Sequence, residues 1–131
     1  LLETNATILA GIEDLAPRLA VVSADVKLPS NSGEATFWRL HGEFLRECAG
    51  TETYVKMPVS DETDVREVRR GARLVADSSP AAALFIQPLT DERTGQWRIG
   101  QSRLLSLLAA ASAENARSLV LPQLHKLAGI R

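Results

Sequence analysis

The chain has 131 residues, 45% apolar and 24% charged, with a formal net charge of −1. That length suffices for one hydrophobic core, and the near-neutral balance excludes binding of nucleic acid or a membrane surface through bulk charge. No apolar run approaches the roughly 18 residues of a membrane span. One cysteine, Cys48, and two histidines exclude an internal disulfide and a self-contained zinc or iron–sulfur site, and a cytoplasmic setting is expected.

In chain order, Leu1-Leu2-Glu3-Thr4-Asn5 reads as the end of a strand, with no basic segment of the kind that opens a signal peptide. A chain that opens inside an element is expected to be part of something longer. Residues 8–15 form a weak helix that ends before Pro17. Residues 20–26 are short, apolar and β-branched, as a buried strand requires. Residues 36–49 predict a helix with Phe37, Leu40, Phe44 and Leu45 on one face. A strand follows over 53–57. Ser60-Asp61-Glu62 then signals the start of a helix over 63–76, whose Val65, Val68, Ala72 and Val75 fall together. Residues 83–86 are a strand, 90–100 a long polar surface loop, 101–113 a helix with Leu104, Leu105, Leu107 and Leu108 as its apolar face, and 118–121 the last strand.

Strands alternating with helices predict an α/β fold of parallel β/α repeats with about five strands. Such a sheet is either doubly wound and open or an arc of a barrel, and in both cases ligands bind at the C-terminal strand ends. Polar residues gather there: Glu3-Thr4-Asn5, Asp25 to Ser30, Lys56 to Ser60, Gln87 to Thr90, and Pro122 to Lys126. Prolines at these exits (Pro29, Pro58, Pro88 and Pro122) fix φ locally.

Asp25 and Lys27 are two apart, so on a strand they share one face. They can hold an ammonium group, a carboxylate or each other. Ser30, Ser32 and Gly33 form a loop able to donate hydrogen bonds. Gln123 and His125 are also two apart, and an amide beside an imidazole suits a planar, hydrogen-bonding heterocycle. His41, among Phe37, Trp38 and Phe44, reads as a structural histidine. There is no Gly-rich phosphate loop, nucleophile elbow or His-x-x-x-His pair.

These segments together resemble the C-terminal half of a radical S-adenosylmethionine enzyme of the 7-carboxy-7-deazaguanine synthase family. The matching pieces, in family order, are Glu3-Thr4-Asn5, Asp25-Val26-Lys27-Leu28-Pro29-Ser30-Asn31-Ser32-Gly33, Trp38 to Leu45, Tyr54-Val55-Lys56, Ile86-Gln87-Pro88-Leu89-Thr90 and Leu121 to Arg131. The resemblance implies a single portion, residues 1–131, of a partial TIM-like barrel. A cysteine loop upstream would hold a [4Fe-4S] cluster that cleaves S-adenosylmethionine. The resulting radical abstracts hydrogen from 6-carboxy-5,6,7,8-tetrahydropterin, and a ring contraction with loss of ammonia follows, aided by Mg2+. This is a carbon–nitrogen lyase reaction in queuosine and 7-deazapurine biosynthesis.

Carried over residue by residue, the resemblance implies S-adenosylmethionine contacts for Thr4, Asn5, Asp25, Lys27, Ser30 and Gln87, and pterin contacts for Gln123 and His125. It implies a reductant for the cluster and allows a homodimer. Ala6 stands where the family usually has Gly, which matters only if that position needs φ > 0. Without the cysteine loop the chain alone is expected to be inactive, and a long apolar sheet edge is expected to make it self-associate. The alternatives are a radical S-adenosylmethionine activating enzyme, which shares the strand-end Asp-x-Lys, and a non-catalytic α/β binding module.

Overall fold

A computed structural model describes residues 1–33 and 37–123. Along the chain it runs β1 (Leu2–Thr4), α1 (Ile12–Leu15) with a 3-10 turn (Ala16–Arg18), β2 (Val21–Asp25), α2 (Pro29–Ser32), α3 (Trp38–Glu47), β3 (Glu52–Val59), α4 (Val65–Ser78), β4 (Ala83–Pro88), α5 (Gln101–Glu114) and β5 (Ser118–Val120). All four strand pairings are parallel, and the order is β1-β2-β3-β4-β5.

That order decides between the two architectures left open by the sequence. Parallel crossovers share one hand, so an unbroken sequential order lays every helix on the same side of the sheet. A doubly wound sheet must reverse its order somewhere to cover both sides. The helices accordingly form one layer, α3 against α4 and α4 against α5. The chain is thus an α/β arc of parallel β/α units, the geometry of a partial TIM-like barrel.

β3 shows how the sequence builds this arc. Thr53, Val55, Met57 and Val59 are buried beneath the helices, while Tyr54, Lys56 and Pro58 alternate onto the opposite, half-exposed face. We call that side the open face. Pro58 is tolerated inside the strand because β2 has already ended at the Asp25–Lys56 pair. The edge with no N–H meets the following loop, where Asn31 Nδ2 donates to the Pro58 carbonyl at 2.8 Å. On the helix side, a Cβ at Gly71 of α4 would collide with the Met57 methyl, so glycine sets the close approach of α4 to β3.

The boundaries differ from the sequence reading in instructive ways. α4 is capped by Asp64, whose carboxylate accepts the Arg66 N–H at 2.8 Å, and not by the Ser60-Asp61-Glu62 run. On α5 the buried side chains are Leu104, Leu107, Ala110 and Ala111, while Leu105 is 54% exposed. Adjacent leucines lie about 100° apart on a helix and cannot all share one stripe. Residues 29–32 are a single helical turn led by Pro29, not a loop. The edge strands β1 and β5 are only three residues each, so the long apolar edge expected from the sequence is absent among the described residues.

The 90–100 connection is closed by hydrogen bonds. Asp91 accepts the N–H groups of Arg93 and Thr94, and an antiparallel bridge joins Thr90 to Trp97. Among the described residues no helix is long and apolar enough to cross a membrane.

Candidate functional site

Strand register places the polar strand-end residues. Glu3 pairs with Ser23 and Ser23 with Tyr54, one row on the open face. The next row is Asp25, Lys56 and Phe85, and above it Pro58 pairs with Gln87. Lys56 sits at the centre. Its ammonium forms an ion pair with Glu3 and lies 3.3 Å from Asp25 Oδ1. Burial by itself pulls this ammonium down, but the Glu3 and Asp25 carboxylates outweigh it and hold Lys56 above its ordinary value. Asp25 therefore pairs across the sheet with Lys56, and the local Asp25–Lys27 pair that the sequence allowed is not formed.

Lys27 is exposed and lines a cavity of about 230 Å³ with Leu28, Asn31, Ser32, Pro58 and Leu89. Gln87 is buried beside it, one register pair from Pro58. Lys27, Asp25 and Gln87 thus share one end of the sheet, at the C-terminal strand ends. Two larger hollows lie elsewhere. One, of about 310 Å³, is at the opposite strand ends around Glu52, Tyr54 and Arg117, and one, of about 330 Å³, is on the helix side around Trp38, Arg66 and Arg70.

The remaining candidates are engaged by the fold. Thr4 lies in register with Ala24 and Val55, on the helix-facing parity, and its hydroxyl accepts the Ala6 N–H at 3.1 Å. Asn5 is exposed, and its Oδ1 accepts the Thr7 hydroxyl at 2.8 Å. Ala6 has φ 54°, the left-handed region, so this position does require positive φ; alanine adopts it directly. Ser30 donates its hydroxyl to Glu67 Oε2 at 2.6 Å and its N–H to the same oxygen at 2.9 Å, and it accepts the Asp64 N–H at 3.1 Å. These bonds tie the β2 exit to the start of α4. Gln123 Oε1 accepts the Thr90 N–H at 3.1 Å, which joins the exits of β4 and β5 and leaves the amide NH2 unused by that bond. His125 lies outside the described residues, as does Lys126.

Sequence reasoning gave no role to Asn31, Glu3, Lys56 or Ser23. Asn31 Oδ1 accepts from the hydroxyls of Ser60 and Thr63 at 2.8 and 2.9 Å, which fixes the loop that carries Lys27. The signal for Glu3 and Lys56 was opposite charge at matching strand positions, visible only once the register is known. His41 is buried. Its Nδ1 lies 3.2 Å from the Ala6 carbonyl, and Phe37 packs edge-on against the ring at 6.2 Å. The structural role read for it holds.

A curated 7-carboxy-7-deazaguanine synthase from Geobacter sulfurreducens (strain ATCC 51573 / DSM 12127 / PCA) is 29% identical over 129 residues, which is 98% of this chain and 51% of that protein. The chain resembles the C-terminal half of that synthase. It spans about half the length of this relative, which agrees with the resemblance carried by its motifs. No family model matches the chain, and no solved structure matches it.

An iron–sulfur cluster does not fit the side chains seen here. Cys48 is buried, and burial with the neighbouring Glu47 carboxylate pushes its thiol up, away from the thiolate that a metal needs. Among the described residues no three His, Cys, Asp or Glu side chains gather as a metal site.

Proposed function

We propose that residues 1–131 form the C-terminal portion of a 7-carboxy-7-deazaguanine synthase. The complete enzyme would convert 6-carboxy-5,6,7,8-tetrahydropterin to 7-carboxy-7-deazaguanine by radical ring contraction, as a carbon–nitrogen lyase. The observation that carries this reading is similarity to one such synthase along 98% of the chain, with polar residues at each of the matching strand exits.

On this reading S-adenosylmethionine binds at the open strand ends. The cavity beside Lys27 is about 230 Å³, below the roughly 300–1,000 Å³ of a complete small-molecule site. On this reading the arc supplies one wall, and the rest of the barrel the other. Lys27, fixed by the Asn31 network, offers a cation to the cofactor carboxylate; Asp25 and Gln87 offer an acceptor and an amide on the same side. Thr4 and Asn5 shape the β1 exit, and Ser30 acts through the loop it anchors. When bound, S-adenosylmethionine supplies the group that abstracts hydrogen.

Gln123 and His125 would orient the pterin through amide and imidazole hydrogen bonds. The cluster finds no cysteine set among the described residues, so on this reading its ligands belong to the other half of the enzyme, and Mg2+ accompanies the complete site. A reductant, a cytoplasmic setting and a homodimer accompany the proposal.

The test starts with the DNA upstream of the Leu1 codon, where an in-frame Cys-x-x-x-Cys-x-x-Cys is expected. The longer product, purified and reconstituted without oxygen, should convert the carboxytetrahydropterin to 7-carboxy-7-deazaguanine. Absence of the triplet, or S-adenosylmethionine cleavage with the pterin unchanged, overturns the reading. In that enzyme Gln123→Ala and His125→Ala should raise KM for the pterin while uncoupled cofactor cleavage persists, and Lys27→Ala should weaken cofactor binding instead. One shared defect for both sets would refute this division of the site.

A further inference from the structure

We propose that His41 is a positioning residue: its ring fixes the turn that follows β1, and through that turn the Asn5 amide at the strand ends. β1 is an edge strand of three residues and pairs with β2 alone among the described strands. Its ladder ends at Thr4, so the segment beyond needs another hold. Three bonds supply it. The Thr4 hydroxyl accepts the Ala6 N–H at 3.1 Å, Asn5 Oδ1 accepts the Thr7 hydroxyl at 2.8 Å, and the Ala6 carbonyl lies 3.2 Å from His41 Nδ1. The first two close the turn on itself, and the third ties it to the helix layer.

The turn depends on that tie. Ala6 holds a left-handed backbone, φ 54°, which persists only where the surroundings impose it. Asn5 next to it is exposed, and its amide NH2 has no partner among the described residues. Where the turn moves, the amide moves with it.

The ring itself shows what the bond is for. A carbonyl can only accept, so Nδ1 carries the proton and Nε2 is bare. Nε2 is buried without a hydrogen-bond partner, in a residue 1% exposed. An unpaired buried nitrogen costs stability, so the ring adds little net stability, and its contribution is a fixed position for Ala6. Protonation of Nε2 would place a cation where nothing answers it. Burial and the Ala6 carbonyl are the influences on the ring. The charges on the surrounding helices, Glu13 and Asp14 on α1, Arg39, Glu43 and Arg46 on α3, and Arg70 on α4, exert none. Acid therefore loosens the grip. The inference rests on the proposed function for the identity of the ligand at the β1 exit.

The test uses the complete enzyme, with S-adenosylmethionine and 6-carboxy-5,6,7,8-tetrahydropterin as probes. Binding of each is followed by titration calorimetry, and fold by circular dichroism. At about pH 8, His41→Leu should weaken S-adenosylmethionine binding at least fivefold and leave pterin binding within twofold. His41→Gln keeps a donor for the Ala6 carbonyl and should restore most of the loss. Between about pH 8 and about pH 5.5 the parent should lose at least twofold in S-adenosylmethionine affinity relative to His41→Gln. Titration of the probe itself is common to both proteins and cancels in that ratio.

A His41→Leu enzyme within twofold of the parent, an equal loss for both probes, or a parent-to-Gln ratio that does not change with pH overturns the inference. If His41→Leu does not fold, the pH dependence of that ratio decides alone. A parent that turns the pterin over while the His41 variants bind normally sinks only this inference. A parent that binds neither probe sinks the proposed function as well.

Discussion

His41 Nδ1 lies 3.2 Å from the carbonyl oxygen of Ala6, and Ala6 is the single non-glycine residue with positive φ among those described. A helix that follows β2 thus grips the turn that follows β1, 35 residues earlier in the chain. The grip is buried on both sides, since Ala6 and His41 are each essentially out of contact with water. It holds the exit of β1, where Thr4 and Asn5 stand, against the helix layer.

Ala6 should respond to size more than to flexibility. Replacing it with Gly relieves a left-handed strain of about 1–2 kcal/mol. It also removes a buried methyl worth about 0.8 kcal/mol and adds freedom to the unfolded chain. These nearly cancel, so Ala6→Gly should leave the urea midpoint almost unchanged. Ala6→Val places a β-branched side chain in the same backbone region with no room around it, and a loss of more than about 2 kcal/mol is expected. Equal midpoints for the two variants would contradict this account of the turn.

His41 should make the fold sensitive to mild acid. Burial holds its imidazole below the ordinary value near 6.5, and the Ala6 carbonyl only partly offsets that. Below that value the unfolded chain binds the proton more readily than the folded one, so stability rises with pH there. Stability against urea should therefore fall as pH drops from 7.5 through 6.5 and below. The slope should flatten in His41→Gln, measured beside the parent so that His125 cancels. A parent curve indistinguishable in slope from that of His41→Gln would rule out this burial effect.

Asn31 should be worth more than its place in a one-turn helix suggests. Its amide serves the Pro58 carbonyl, the Ser60 hydroxyl and the Thr63 hydroxyl at once. Truncation to Ala removes all three bonds; the Ser60 and Thr63 hydroxyls still accept backbone N–H groups, so a total loss of about 1–3 kcal/mol is expected. Asn31→Asp keeps the acceptor but loses the donor to Pro58, so it should fall between the parent and Asn31→Ala in thermal melts. An Asn31→Asp melt below that of Asn31→Ala would refute the value assigned to the acceptor for Ser60 and Thr63.

Ser30 separates an anchoring role from a cofactor contact. The Ser30–Glu67 hydrogen bond is short, 2.6 Å, and assisted by the carboxylate charge. Ser30→Ala should cost about 1–3 kcal/mol of stability, and the cost should shrink when Glu67 is already Gln. In the complete enzyme at low temperature, cofactor affinity should change little. A large affinity loss with unchanged melting would instead make the hydroxyl a direct contact.

Much of the architecture was legible in the chain because its signals are local. The β-branched runs around Val21-Val22 and Ala83 to Ile86 and the apolar periodicity of Val68, Ala72 and Val75 need only nearest neighbours to be read. So does the polar character of the strand exits. Each maps onto β2, β4, α4 and the open ends of the sheet. The Asp64 cap and the stray Leu105 were misread because start signals and apolar faces are decided by a shift of one or two residues, which local chemistry barely resolves.

By itself, then, the sequence determined alternating parallel strands and helices and the order of the motifs that make it similar to a deazaguanine synthase. Tertiary structure alone decided that Asp25 answers Lys56 and not Lys27, that Lys56 also holds Glu3, that Ser30 is bonded to Glu67, and that Gln123 accepts the distant Thr90 N–H. The reason is physical. Side-chain alternation along a strand is written in the chain, but which strand lies alongside, and at what register, is settled only when the whole sheet packs against its helices.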